Sequence, residues 1–250
     1  MEKIKKYRKK IFELYRISAR KEIGVDIKDY ERRVKFYKRR FGKILPENKD
    51  SLILDLGCGE GFFLYFMEKL GYNKLYGVDL SKEEIEIAQK YLKKTILINE
   101  DLFNFLKNIN LKFDFILMDN ILEHFEKEEI FEVLELVYNR LKYKGKIVIS
   151  VPNIGSLWGI PHAFLDFTHE TFFTPHALNE ILVSIGFKVV KIKGDNYPLP
   201  LDILSTLRCL GYYPLRFITK LLLIIMSGGG GRTKILHIPD ISIMAIAIKE

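Results

Sequence analysis

The chain has 250 residues, of which 48% are apolar, a formal net charge of +8 and two cysteines. This size and composition suit one sizeable folded core with a small appendage. Two cysteines, Cys58 and Cys209, are too few for a disulfide framework, so a cytoplasmic location is favoured. No apolar leader core follows the basic N-terminus, and no run approaches the ~18 apolar residues of a membrane span. The sequence predicts a protein that is soluble or attached only at the inner face of a membrane.

The positive charge is concentrated at the N-terminus. Residues 1–43 hold 17 Lys and Arg against 6 Asp and Glu, net +11, and the remainder is net −3. Helical spacing of apolar residues predicts two amphipathic helices broken near Gly24. Their apolar faces are Ile4, Ile11, Leu14 and Tyr15, and then Tyr30, Val34, Tyr37 and Phe41. Residues 1–46 are therefore predicted to form a basic helical arm or lid. Its charges suit either a solvated face or a surface for phosphate groups, anionic lipid or RNA.

Residues 47–250 alternate short apolar runs with helical patterns, which is typical of parallel strands joined by helical crossovers. Strands are predicted at about 51–56, 74–79, 95–98, 113–119, 145–151, 187–193 and 241–248. Helices are predicted at about 61–70, 82–93, 101–108, 126–142 and 175–185. Ser81 and Thr174 are placed as N-caps. We expect an α/β fold of seven strands with helices on both faces.

A long insertion, residues 195–240, precedes the last predicted strand. It contains the sequence PLRFITKLLLIIMSGGGG, an apolar helix at 214–226 followed by four glycines. Its run 221–226 is expected to pack over a substrate cleft or a partner subunit, and a role at a membrane surface stays open.

A glycine-rich turn follows the first predicted strand in the sequence LILDLGCGEGFF. Gly57, Gly59 and Gly61 let the backbone approach a ligand, and the next helix offers unpaired N–H groups. The spacing G-x-G-x-G, with Asp55 at the strand end, differs from the G-x-G-x-x-G of dinucleotide sites. Asp79 ends the second predicted strand, where its carboxylate is placed to accept hydrogen bonds from ribose. A nucleoside cofactor is predicted.

The third strand leads into NEDLFNFL. Asp101 is placed to accept from an adenine amino group, with Leu80 and Leu102 on the two faces of the ring. Asp101 is equally suited to cap the helix that follows, and the two roles are compatible.

The motifs DLGCGEG, GVDLS, NEDL, DNILEHF and LKYKGKIVISVPN follow one another in an order and at intervals that resemble class I S-adenosylmethionine-dependent methyltransferases. The resemblance implies a Rossmann-like sheet of seven strands, mostly parallel, with an antiparallel last strand. It also implies S-adenosyl-L-methionine as cofactor. The cofactor-binding residues expected are Asp55, Gly57, Gly59, Gly61, Asp79, Leu80, Asp101, Leu102 and Asn120.

The DNILEHF segment follows the fourth predicted strand. Methyl transfer to a hydroxyl needs a positioned base, and His124 is a candidate, although a role in fixing the loop fits equally well. The relatives of this loop in ubiquinone-pathway enzymes carry an extra acid that helps to hold a metal. Asn120 stands at that position here. We expect no required metal, although Glu123 and His124 are plausible ligands.

A second polar cluster lies in PHAFLDFTHETFFTPHAL, residues 161–178. Phenylalanines alternate with Asp166, Thr168, His169 and Glu170, as a desolvated acceptor site requires. This segment, with LEHF and VPN, resembles a branch of class I methyltransferases linked to surface-polysaccharide synthesis. The resemblance implies O-methylation of a sugar or glycan intermediate. His124, His169 and Asp166 are the expected catalytic residues, and Glu123, Thr168 and Glu170 the expected substrate-binding residues.

Other functions remain open at this point. LEHF and the many aromatic residues are compatible with a quinone precursor or small phenol as acceptor. An RNA acceptor has only the basic arm in its favour, because NPPY and PC motifs are absent. A cofactor-binding pseudoenzyme is a further alternative. The expected partners are a small-molecule or lipid-linked glycan substrate and an anionic membrane surface, and nucleic acid is disfavoured.

Overall fold

The computed structural model describes residues 25–195, 203–226 and 238–250. The described residues belong to two compact units. Of the described residues, unit 1 contains those from 25 to 119, Glu132–Val148 and Lys249–Glu250. Unit 2 contains Asn120–Phe131 and the described residues between 149 and 248. The helix predicted on Ile4, Ile11, Leu14 and Tyr15, and the break near Gly24, lie outside the described residues.

The described residues form one seven-stranded sheet in the order β3-β2-β1-β4-β5-β7-β6. Its strands are β1 (Ile53–Leu56), β2 (Leu75–Asp79), β3 (Thr95–Asn99), β4 (Phe113–Asp119), β5 (Leu141–Pro152), β6 (Phe187–Gly194) and β7 (Ser242–Lys249). β1 pairs in parallel with β2 and β4, and β2 with β3. The sheet is mostly parallel with antiparallel last strands, so the predicted fold class is confirmed.

Most helices of the described chain lie where the apolar periodicity places them, but the short helix Gly159–Ala163 is not predicted by the sequence pattern. They are α1 (Ile27–Phe41), α2 (Phe62–Lys69), α3 (Lys82–Tyr91), α4 (Leu102–Asn108), α5 (Lys127–Arg140), α6 (Gly159–Ala163), α7 (Pro175–Ile185) and α8 (Ile203–Met226). The hydroxyl of Ser81 accepts from the backbone N–H of Glu84, and that of Thr174 accepts from Ala177. Both predicted N-caps are therefore confirmed.

The largest boundary difference is at α8, which begins at Ile203 rather than at residue 214 and has Pro214 inside it. A second difference is at β5, which begins at Leu141 rather than near residue 145. The sequence Tyr-Lys-Gly suggests a loop, yet extended backbone starts directly after α5. Lys144 has a left-handed φ of 61°, which marks a bend inside this stretch. The sequence prediction starts the strand after this residue and misses the extended residues before it.

Within unit 1, α1 packs against α2 through aromatic side chains. Tyr30, Tyr37 and Phe41 are buried, as the predicted apolar face requires. The Tyr30 hydroxyl donates to the carbonyl of Glu60 at 2.5 Å, and the Tyr37 ring lies 5.9 Å from that of Phe63. Residues 25–41 of the arm are thus a folded part of unit 1.

Among the described residues, no helix combines the length and the apolar character needed to cross a membrane.

Candidate active site

The glycine-rich turn in unit 1 is built on left-handed backbone. Gly57, Gly59 and Gly61 have φ values of 70°, 51° and 74°, a region that side chains other than that of glycine rarely adopt. A Cβ at Gly61 would lie 2.6 Å from Leu92 Cδ1. Backbone N–H groups of Gly57 and Cys58 donate to the carbonyl of Val78 at 2.8 and 3.1 Å. The turn is therefore tied to the carboxyl end of β2.

Asp79 is oriented by the turn itself. Its Oδ2 accepts from the N–H of Gly59 at 2.8 Å, and its Oδ1 accepts from the N–H of Ser81 at 2.8 Å. A carboxylate has about four acceptor positions, so two fixed backbone donors leave capacity for ligand hydroxyls. The geometry suits a carboxylate that holds a ribose.

Asp101 caps α4 through one oxygen, because the N–H groups of Phe103 and Asn104 both donate to Oδ1. The predicted capping role is confirmed. Leu80 and Leu102, the predicted ring contacts, are both partly exposed. The Asn99 side chain donates to the carbonyls of Asp79 and Leu80 at 3.0 and 2.9 Å, which joins the ends of β2 and β3.

Asp55, Asp79 and Asp119 form an acidic group at the carboxyl ends of β1, β2 and β4. Arg40 from α1 donates to both oxygens of Asp119, at 2.5 and 2.6 Å. Burial raises the pKa of Asp55 well above its ordinary value, the charges of Asp119 and Asp79 add to the effect, and Arg40 opposes it. A buried acid with excess negative charge around it favours a cationic ligand. A sulfonium cofactor with an amino group carries such charge, so these residues fit it.

Asn120 is the last of the predicted cofactor residues and begins unit 2. It is exposed and has a left-handed φ of 56°, which asparagine tolerates better than most residues. Its N–H donates to the carbonyl of Ser150 at 2.9 Å.

Unit 2 gathers the LEHF loop and the Asp166 segment, which are far apart in sequence. The Thr168 hydroxyl donates to Asp166 Oδ1 at 2.6 Å, so its proton is not available to His124. His124 Nδ1 lies 2.8 Å from that same hydroxyl oxygen and must carry the hydrogen. The neutral ring therefore has its lone pair on Nε2. Asp166, Thr168 and His124 form a hydrogen-bonded relay.

His169 has the same tautomer for a different reason. Its Nδ1 lies 2.6 Å from the carbonyl oxygen of Ala163, and a carbonyl only accepts, so Nδ1 is the donor. Its Nε2 is 4.0 Å from Glu123 Oε1. The rings of His124 and His169 meet edge to face with centroids 4.8 Å apart. A proton, or the hydroxyl of a bound molecule, would bridge the two acceptor atoms His169 Nε2 and Glu123 Oε1.

The backbone after His169 holds the loop in place. The N–H groups of Glu170 and Thr171 donate to the carbonyl of Glu123 at 2.9 and 3.1 Å. The Thr171 hydroxyl donates to the carbonyl of Phe125 at 2.8 Å. The Glu170 side chain is exposed, unlike the buried side chains of Glu123 and Thr168. Glu170 therefore contributes to this cluster through its backbone.

Glu123, His124 and His169 also satisfy the chemistry of a metal-binding group. Each offers a ligand atom, and the three atoms lie within 4.8 Å of one another. One carboxylate and two imidazoles suit a divalent transition metal. The expectation that no metal is required stays a prediction.

Sequence reasoning missed four contributors to these sites, Arg40, Glu84, Ala163 and Asp119. Arg40 belongs to a run of similar cations, and no local signal distinguishes the one that reaches Asp119. Glu84 is buried beside Gly59, although its position in the first turn of α3 is typical of an exposed acid. Ala163 acts through its carbonyl, which carries no side-chain signal. For Asp119, its position at the end of a strand is the one sequence feature that indicates a role in the site.

Comparison with known proteins gives the family. Residues 28–192 match a family model described as a methyltransferase domain. The structure resembles a SAM-dependent methyltransferase from Archaeoglobus fulgidus with a TM-score of 0.64 and 26% identity, covering 90% of this chain and 100% of that one.

Curated relatives match over shorter stretches. An uncharacterized protein, RP028 of Rickettsia prowazekii, is 31% identical over 153 residues, which is 56% of this chain and 60% of RP028. A tRNA U34 carboxymethyltransferase of Helicobacter pylori is 32% identical over 117 residues, 43% of each chain. The chain thus spans less than two thirds of the length of the first relative and less than half of the second.

The glycine turn, the carboxylates at the strand ends and the family match agree with one another. The chain belongs to the methyltransferase domain family and is an S-adenosyl-L-methionine-dependent methyltransferase.

Proposed function

We propose that this enzyme methylates a hydroxyl group of a sugar or glycan intermediate and that His124 is the general base. The observation that carries the proposal is the buried relay in which Asp166 accepts from Thr168 and Thr168 accepts from His124 Nδ1. The relay fixes the ring and keeps the basic lone pair on Nε2. Buried, oriented imidazoles of this kind are suited to removing a proton from a hydroxyl.

When bound, S-adenosylmethionine supplies a methyl group on a sulfonium whose leaving group is a neutral thioether. Asp79 and the glycine turn would hold this cofactor, which would supply its methyl group to the acceptor oxygen and retain the electron pair of the broken carbon–sulfur bond on sulfur. His124 Nε2 takes the hydroxyl proton, and Asp166 stabilises the resulting imidazolium through Thr168. Glu123 and His169 are suited to hold the hydroxyl by hydrogen bonds. The main contribution of the protein is alignment of the reacting atoms.

Aromatic side chains around the relay support a sugar as the acceptor. The rings of Phe164 and Phe172 lie 4.6 Å apart, and Phe167 is 92% exposed between Asp166 and Thr168. Aromatic faces beside carboxylates and histidines are what a pyranose ring with several hydroxyls requires. A phenol would stack on the aromatic residues, but its single hydroxyl would leave most of the carboxylates and histidines without a partner on the substrate.

Nucleic acid is the second candidate, because the curated relatives include tRNA-modifying enzymes. The match covers less than half of each chain, so it supports this acceptor only weakly. RNA binding that weakens steeply with salt would favour this alternative.

The test is incorporation of labelled methyl groups from S-adenosylmethionine into glycan, phenol and RNA fractions by the purified enzyme. We expect labelling of the glycan fraction, and mass spectrometry should show surface glycans lacking one methyl group in cells without this chain. Labelling confined to catechols or RNA would overturn the sugar assignment. Repeating the assay after dialysis against a chelator tests the predicted independence from metal.

A further inference from the structure

Helix α8 in unit 2 is anchored through its polar side. The Tyr212 hydroxyl donates to Asp240 Oδ1 at 2.5 Å, and Arg216 donates to both oxygens of Asp240 at 2.9 and 3.0 Å. One turn further on, the indole N–H of Trp158 donates to the Thr219 hydroxyl at 3.2 Å. Asp240 and Thr219 are buried. The inward face of α8 is therefore made of polar groups.

The opposite face of α8 is apolar and exposed. Phe217 and Ile225 are 69% and 66% exposed. Exposed apolar residues follow one another along this side of the helix: Leu207, Leu210, Tyr213, Leu215, Phe217, Ile218, Leu221, Leu222, Ile224 and Ile225. This is the reverse of a helix on a water-soluble surface, where the apolar stripe faces the core. The run at 221–226, expected to pack over a cleft or partner, is largely uncovered by the described residues.

The apolar surface extends beyond α8. Trp158, which contacts Thr219, belongs to a second exposed apolar segment, residues 157–167, which also contains Asp166. Its exposed residues are Leu157, Trp158, Ile160, Phe164, Leu165 and Phe167. Both segments belong to unit 2, and together they exceed the scattered apolar residues of an ordinary surface.

The charge of this region identifies the kind of partner. Residues 203–239 contain no Asp or Glu but contain Arg208, Arg216, Lys220, Arg232 and Lys234. This stretch is therefore net positive, although the chain after residue 43 is net negative. Arg216 is paired with the buried Asp240, and the other four cations remain to attract an anionic surface. An exposed apolar helix whose own charged residues are all basic complements an anionic lipid surface. A docking site for another protein would have no need to exclude Asp and Glu from the helix.

We propose that α8 and the segment 157–167 form a membrane-docking surface that lies in the plane of an anionic bilayer. Exposed apolar side chains enter the headgroup boundary, and the positive charge of this part of the chain attracts lipid phosphates. The segment that carries Asp166 and Thr168 is then held at the lipid surface, which suits an acceptor linked to a lipid. Docking itself does not depend on which acceptor is used.

The experiment is cosedimentation of the full chain with vesicles of phosphatidylcholine alone and with vesicles in which about one third of the lipid is phosphatidylglycerol. We expect binding to the anionic vesicles, reduced by high salt. Phe217→Ser combined with Leu221→Ser should weaken it about tenfold or more. Phe131→Ser, an exposed phenylalanine of unit 2 on α5, is the matched control and should bind as the native chain does.

Absence of binding to anionic vesicles, or equal binding by the double variant, overturns the proposal. Light scattering on the same samples detects a second occupant of the face: a dimer that the double variant abolishes, without vesicle binding, would assign the face to a second copy of the chain. Vesicle binding is measured without any acceptor, so its failure is distinguishable from failure of the proposed methylation.

Discussion

The glycine turn of unit 1 and the histidine cluster of unit 2 are built in opposite ways. The turn is made of backbone: left-handed glycines and N–H groups that donate to Asp79 over short stretches of chain. The cluster is made of side chains brought together from two distant segments of the chain. A site made of backbone suits the methyl donor, which a whole family of enzymes shares. A site made of side chains can change from one enzyme to the next to suit a different methyl acceptor. Substitutions in the histidine cluster should therefore change catalysis without changing cofactor binding, and substitutions in the glycine turn should change stability and cofactor binding.

Replacing His124 with Ala should lower kcat by about 10²- to 10⁴-fold, because the variant has no base for the acceptor proton. Affinity for S-adenosylhomocysteine, measured by calorimetry, should stay unchanged. His176→Ala is the control, since His176 is exposed on α7 and its ion pair is with Glu180, at 3.3 Å on the same helix. Loss of cofactor affinity in the His124 variant would show that the two regions are not separable.

Replacing Gly61 with Ala should destabilise the protein by about 2 to 4 kcal/mol, because the new Cβ meets Leu92 at 2.6 Å and φ is left-handed. Gly71→Ala is a matched control: its φ is 89°, but no atom lies within 4 Å of the added Cβ. That variant should lose only about 1 to 2 kcal/mol from backbone strain. Urea unfolding measures both. Equal losses would mean that close packing at the turn contributes little.

Much of unit 1 could be predicted from sequence because its information is local. Strand ends, left-handed glycines and N-caps such as Ser81 depend on residues a few positions apart. The bidentate pair of Arg40 and Asp119 could not be predicted, since its members are distant in sequence and many cations compete for the role. In unit 2, Asp166 and His124 were identified as candidates, but Thr168 as the link between them required coordinates.

Thr168→Val should lower kcat about tenfold while leaving KM for the acceptor nearly unchanged, because the hydroxyl that joins Asp166 to His124 is lost. Thr168→Ser should restore the rate, since it keeps that hydroxyl. Thr171→Val removes a similarly buried hydroxyl that donates to Phe125 instead, and it should retain activity. Steady-state kinetics decide the matter: equal loss in both valine variants would indicate a structural role only.

Asp55→Asn should stabilise the protein at neutral pH by about 1 to 2 kcal/mol. The pKa of Asp55 is raised by folding, so the native chain loses stability as pH rises from the ordinary aspartate value through the raised one. The variant has no charge to bury. Its advantage, followed by urea unfolding, should vanish as pH falls towards about 3.9. A variant less stable than the native chain at neutral pH would show that the carboxylate is favourably paired.

The most direct test of the account is calorimetry with S-adenosylhomocysteine on the native chain, Asp79→Ala and His124→Ala. We expect the native chain to bind and His124→Ala to bind with native affinity. Asp79→Ala should bind at least about tenfold more weakly, because its charge-assisted hydrogen bonds are lost. No heat of binding with the native chain, or undiminished affinity in Asp79→Ala, would contradict it.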